Sequence, residues 1–293
     1  MILACGSSSR ESPRPRKRLS IRLTMKKFLL LASLAGLGIL ASRSQGAVVI
    51  TTSSLTYTQS FDSLANSGTS VAWTNDTTIA GWSLFNQVAG GTALTNYDAG
   101  TGSSNSGKFF SFGASGSAER ALGGQGSGGA YFGSPSNGNV AGWIAVAFTN
   151  SAGQTLTGLT LSYDGEQWRD GGATTPVAQT MVLEYGFGST FTSVSSWTAP
   201  GGNWNFTSPV YTNTGSGAAV VGNTAGLVAG RGGSLTGLNW TVGSTLWVRW
   251  VEKNDAGNDH GLAIDGFSFT AVPEPSVSLL GLASLGLFVR RRR

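Results

Sequence analysis

The sequence predicts an all-β body, a single antiparallel β-sandwich of jelly-roll type, flanked by an N-terminal signal peptide and a short C-terminal membrane helix. Three observations predict it. Apolar residues recur with period two over short runs, which places one row of side chains on a core face. Gly, Ser, Thr and Asn turn chemistry breaks the body roughly every ten residues, leaving little room for helices. Strand runs also follow one another without intervening helical patterns, which favours packed antiparallel sheets over a βαβ fold.

Residues 1–24 carry Arg10, Arg14, Arg16, Lys17, Arg18 and Arg22 without apolar periodicity. They read as a mis-assigned start or an extended basic region. Residues 25–46 have the layout of a signal peptide: Met25-Lys26-Lys27, an apolar run from Phe28 to Leu40, then Ser44-Gln45-Gly46 with small residues where signal peptidase inspects. Cleavage is expected after Gly46. The chain's one cysteine, Cys5, lies before that point, so the mature protein forms no disulfide within itself.

The body is expected to be one domain over residues 47–271. Ile144, Val146 and Phe148 form one alternating row, and Leu159, Leu161 and Tyr163 the next. Met181, Leu183 and Tyr185, then Leu246, Val248 and Trp250, repeat the pattern. In the last run Leu262 and Ile264 share one parity and Phe267 and Phe269 the other, so Gly266 is the expected site of a bulge. Lys108 to Phe112 and Ala130 to Phe132 read as short strands in a glycine-rich stretch.

The tail, residues 272–293, begins Val272-Pro273-Glu274-Pro275. Proline lacks an amide donor and restricts its predecessor, so this segment is expected to be a stiff linker outside any sheet or helix. Residues 277–289 are apolar and would span about 20 Å as a helix, short of the roughly 30 Å of a bilayer core. Arg290, Arg291, Arg292 and Arg293 can snorkel and favour the cytoplasmic side. The Pro-Glu-Pro motif, short apolar stretch and basic end together resemble the PEP-CTERM sorting signal of exported bacterial proteins. That resemblance implies an exosortase as partner and a hold on the inner membrane through the helix before processing. It further implies a cell-surface or extracellular destination, commonly in bacteria that make extracellular polysaccharide.

The formal charge of +5 invites a nucleic-acid reading. Nine of 19 Lys and Arg precede Ala47 and four end the chain. Between Ala47 and Ser276 six basic residues stand against 13 acidic ones, a formal charge of −7. The body has no basic footprint for phosphate, and nucleic-acid binding is not expected.

Several motifs carry chemistry on paper. Gly102 to Lys108 fits P-loop spacing and Gly124 to Gly129 fits dinucleotide-binding spacing, but neither sits between a strand and a helix, and turn glycines explain both. His260 is the only histidine, so any His-based triad must use it and a multi-histidine zinc site is excluded. Asp255, Asn258, Asp259 and Asp265 offer hard oxygen ligands for a structural calcium ion, the alternative being a long turn whose Asx side chains cap backbone amides. Asp164 and Glu166 form a carboxylate pair two residues apart, either catalytic on a glycoside or held in an ion pair of Glu166 with Arg169 or Arg249. Trp197 and Trp204, in a loop with Pro200-Gly201-Gly202, could stack on sugar. Trp82, Trp143, Trp247 and Trp250 sit in strand patterns and read as core.

Gly165-Glu166-Gln167-Trp168-Arg169, with Gly257-Asn258-Asp259-His260-Gly261-Leu262-Ala263-Ile264-Asp265-Gly266-Phe267, is similar to a β-sandwich module of exported bacterial proteins, over residues 59–270. The resemblance implies fold and no particular activity. The function expected is a structural or adhesive surface or matrix protein without catalysis, contacting extracellular polysaccharide. A carbohydrate-binding module is the alternative, and a polysaccharide-acting enzyme the third reading.

Overall fold

Each alternating row becomes a wall of one shared core in the computed structural model, which describes residues 46–274. The strands, in chain order, are β1 (Val48–Ile50), β2 (Thr56–Gln59), β3 (Val71–Ala72), β4 (Trp82–Asn86), β5 (Thr92–Ala93), β6 (Asn96–Gly100), β7 (Lys108–Phe112) and β8 (Ala121–Gln125). They continue as β9 (Val140–Asn150), β10 (Leu156–Asp170), β11 (Thr180–Phe187), β12 (Phe206–Thr207), β13 (Ala218–Ala219), β14 (Leu227–Trp240), β15 (Thr245–Lys253) and β16 (Gly261–Pro273). The only helical segments among the described residues are four 3-10 turns of three residues each. One sheet orders β12, β11, β15, β9, β4 and β5, with β1 beside β9. The other orders β13, β10, β16, β8, β7, β6 and β3, with β14 on β10 and β2 on β16.

The pairing is antiparallel with two exceptions that the sequence does not announce: β1 runs parallel to β9, and β6 parallel to β7. Both sheets are therefore mixed or antiparallel, and their inner faces share one cluster. Ile144, Val146 and Phe148 of β9 and Leu246, Val248 and Trp250 of β15 meet Leu159, Leu161 and Tyr163 of β10. At its centre the Trp82 and Trp250 rings stack 5.7 Å apart, and Phe267 from the opposite sheet stands nearly perpendicular to both. Each such ring, fully buried, contributes roughly 2–3 kcal/mol. Trp143 and Trp247 are buried too, but in the opposite parity. They lie on the outer face of the first sheet with Phe85, covered by Phe191 and Val194 of the following loop.

Gly266 is the bulge. Its φ is +55°, and between Ser162↔Ser268 and Asp164↔Asp265 the register of β10 and β16 shifts. Leu262, Ile264, Phe267 and Phe269 all reach the same core as a result. Residues Ala130–Phe132 depart from expectation, forming a 3-10 turn closed by Gly133 at φ +79°. The turn lets Phe132 enter the core with the Tyr131 ring packed beside it, centroids 4.9 Å apart, and the Tyr131 hydroxyl donating to the Asn96 carbonyl at 2.6 Å; a strand would send the two side chains to opposite faces.

The expected linker at the end of the body is also corrected. Val272 and Pro273 are the last residues of β16, opposite Gly158 and Leu156 of β10. The Pro273 carbonyl accepts from Thr157 Oγ1 at 3.4 Å, and the Glu274 amide donates to the Thr155 carbonyl at 3.3 Å. Proline lost a donor and kept its acceptor, which a strand end tolerates. The signal peptide (25–46), Pro275, the apolar helix (277–289) and Arg290 to Arg293 lie outside the described residues, apart from Gly46. Among the described residues no helix is long and apolar enough to cross a membrane.

Strand direction gives the body two distinct ends. At one, Ile50, Asn150, Leu156, Thr245 and Pro273 converge. At the other, β8 ends at Gln125, β10 at Asp170 and β15 at Lys253, while β9 and β16 begin. The 13 residues of β16 separate the two ends by about 40 Å.

Candidate functional site

The end remote from Ile50 and Pro273 carries a polar cleft of about 470 Å³. Its walls come from six chain segments, and Asn105, Gln125, Arg169, Asn254, Asn258 and Asp259 supply most of its chemistry. Close backbone approach builds it: a Cβ on Gly126 would lie 1.6 Å from the Lys253 carbonyl oxygen, and one on Gly171 2.3 Å from that of Asn258. The glycines with dinucleotide-like spacing are thus packing devices. The P-loop spacing dissolves likewise, since Gly102 turns at φ +80° against the Trp168 backbone and Lys108 pairs with Asp98 at 3.0 Å.

Beneath the cleft lies a sealed polar network. Asp170 Oδ2 accepts from the Thr212 and Asn213 amides, each at 3.0 Å, and its Oδ1 lies 3.4 Å from His260 Nε2. His260 Nδ1 is 2.9 Å from Ser208 Oγ, and the His260 amide donates to Gln179 Oε1. Serine, histidine and aspartate therefore do meet. Ser208 is only 2% exposed, however, and its Oγ already accepts from the Gln179 amide. Burial lowers the His260 pKa, with Asp170 opposing it, so the ring favours its neutral form. The arrangement is a hydrogen-bonded brace without access for a substrate.

The four proposed calcium ligands do not gather. Asp259 Oδ1 accepts from the Asp255 amide at 2.6 Å, an Asx cap within the loop, and Asn258 Nδ2 donates to the Gly172 carbonyl. Burial pushes the Asp259 carboxyl up to about 7, with the Asp255 charge adding to it against the amide bond. Asp265 sits in β16, opposite Asp164, on the outer face of the second sheet. There its carboxylate lies with those of Glu119 and Glu166, their nearest oxygens within 4.8 Å of one another. The β16 strand separates it from the loop, because six extended residues from Asp259 to Asp265 cover about 20 Å.

Glu166 makes neither expected ion pair. Its Oε2 accepts from Trp168 Nε1 at 2.8 Å. Arg169 Nη1 donates to the Gly102 and Ser103 carbonyls, and Arg249 pairs with Glu184 at 2.6 Å. Strand alternation explains this: Glu166 and Trp168 share the outer face, whereas Arg169 and Gln167 have the opposite parity. Burial, offset by the indole bond and joined by the Glu119 and Asp164 charges, pushes Glu166 up to about 7. Asp265 is likewise held at about 7, by burial first and then by Glu166, Glu119 and Asp62. Asp164 accepts from the Gly230 amide at its Oδ1, 2.8 Å away.

Neither loop tryptophan forms an exposed platform. Trp204 is buried in the main core, its carbonyl accepting from the Tyr163 hydroxyl at 2.8 Å. Trp197 is half-buried, with the Arg249 guanidinium 3.8 Å from its ring centroid and Phe191 at 5.3 Å. The polar cleft draws on residues from several of the motifs singled out in the sequence, among them Gly126, Gly128, Arg169, Asn258 and Asp259. Their spacing gave no sign that the topology brings these loops to one end.

No protein-family model and no curated protein matches the chain.

Proposed function

We propose that the chain is an exported, exosortase-processed surface or matrix protein whose body, a jelly-roll-type β-sandwich, has a structural or adhesive role and no catalytic activity. One observation carries this reading: Pro273 leaves the body at one end, and the polar cleft opens about 40 Å away at the other. A body held at the inner membrane through residues 277–289 would present the cleft away from the bilayer. Because Pro273 is still hydrogen-bonded in β16, the sorting motif emerges directly from the folded edge with no spacer. Signal peptidase at Gly46 and exosortase at Pro273-Glu274-Pro275 then define a mature body of net negative charge.

Recognition of extracellular polysaccharide, as by a carbohydrate-binding module, is the second reading. The amide-rich cleft favours it over an enzyme, for which the Ser208–His260 pair is sealed and Glu166 is buried against the Trp168 indole.

The test is expression of the tagged full chain in an exosortase-bearing bacterium, with fractionation and intact-mass measurement. The expected product begins at Ala47 and ends near Pro273. Replacing Pro273, Glu274 and Pro275 together by alanine is expected to leave the longer, membrane-held form. Identical processing of that variant, or retention of the parent chain in the cytoplasm, would refute the proposal.

A further inference from the structure

The lining of the cleft is dominated by groups that donate and accept at once. The amides of Asn105, Gln125, Asn254 and Asn258 do both, and so does a sugar hydroxyl. Charge in the cleft is balanced, with Arg169 facing a wall that also holds Asp259, so nothing in it selects a strongly anionic ligand. Its volume of about 470 Å³ falls within the roughly 300–1,000 Å³ typical of small-ligand sites.

Two of its residues are almost wholly buried and incompletely satisfied. Gln125 is 6% exposed and Arg169 7%, and among the described residues neither Gln125 Oε1 nor Arg169 Nε has a hydrogen-bond partner. Orphaned buried polar atoms are rare, because each forfeits the bonds that water gave it. Arg169 has its Nη1 fixed by the Gly102 and Ser103 carbonyls, which holds the guanidinium plane still. Adjacent hydroxyls on a sugar ring match a fixed guanidinium edge, an amide and a carboxylate. That recognition is edge-on and needs no aromatic platform.

We infer that this cleft binds one or two units of a neutral, hydroxyl-rich saccharide through Gln125, Arg169 and Asp259. The inference rests on the surface-display reading above and names its ligand class and site. It moves the site from the loop tryptophans to the strand ends.

The experiment is calorimetric titration of the full chain, in a zwitterionic detergent whose headgroup carries no sugar. Maltose, cellobiose and mannobiose are the neutral probes, and a glucuronate-containing disaccharide is the anionic arm. Saturable binding of at least one neutral probe is expected. Gln125→Ala should weaken it about tenfold, a loss of about 1.4 kcal/mol. Ser216→Trp, which fills the cleft from an exposed position and leaves the melting temperature unchanged, should abolish it. Absence of binding to every probe, preference for the glucuronate disaccharide, or binding indifferent to both variants would overturn the inference. None of these outcomes alters processing or export, so failure of the ligand assignment is separable from failure of the display reading.

Discussion

The Trp168 indole N–H donates to Glu166 Oε2 across two residues of one strand, 2.8 Å apart, on the outer face of the second sheet. This bond ties a buried carboxylate to an aromatic cluster of Phe110, Phe112 and Trp168, in which the Phe112 and Trp168 rings lie parallel, their centroids 6.2 Å apart. Trp168→Phe keeps a ring in place but removes the donor. It is expected to cost about 1–3 kcal/mol, read as a lower urea midpoint with an unchanged m-value.

Stability is expected to fall as pH rises from about 4 to about 7. Glu166, Asp259 and Asp265 all have folded-state carboxyls raised to about 7 by burial and neighbouring charge. A raised carboxyl binds its proton more tightly folded than unfolded, so its contribution is complete below the unfolded pKa and is lost as pH climbs through the folded one. Thermal melts should show a higher Tm at pH 5 than at pH 8. Glu166→Gln combined with Asp265→Asn should flatten that slope, and an equal slope in the double variant would contradict the assignment.

Arg249 is the pin of the first sheet's outer face. Its guanidinium pairs with Glu184 at 2.6 Å and lies 3.8 Å from the Trp197 ring centroid and 5.0 Å from that of Trp143. Arg249→Met preserves the stem and removes all three contacts. A loss of about 1–3 kcal/mol is expected, with a change in tryptophan emission as the loop over Phe191 loosens.

Chelation separates two places where a cation could act. Asp255 and Asp259 are already joined through an amide, so calcium or EGTA is expected to leave the melting temperature of Asp255→Ala unshifted relative to the parent. A calcium-dependent rise abolished by Glu119→Gln, and not by Asp255→Ala, would place an ion among Glu119, Glu166 and Asp265.

The fold was legible wherever a side chain's environment depends on parity alone. Leu159, Leu161 and Tyr163, or Leu246, Val248 and Trp250, needed only period two to be assigned inward. Gly266 was legible because an apolar row changed parity across a residue able to take positive φ. Trp204 and Ala130–Phe132 were not, because loop composition does not record which side of a turn meets the core. Glu166 misled because sequence proximity suggested Arg169, while the pleat turned the two to opposite faces.

The sequence by itself determined the strand-rich body, its inward rows and its acidic charge, since these follow from local period, turn chemistry and the placement of lysine and arginine. Only the tertiary structure decided which loops share an end. Gln125 and Arg169 lie 44 positions apart and acquire a common cleft because β8 and β10 both pair with β16, opposite Gly261. Strand pairing is a long-range choice made by the whole core, and no local pattern encodes it.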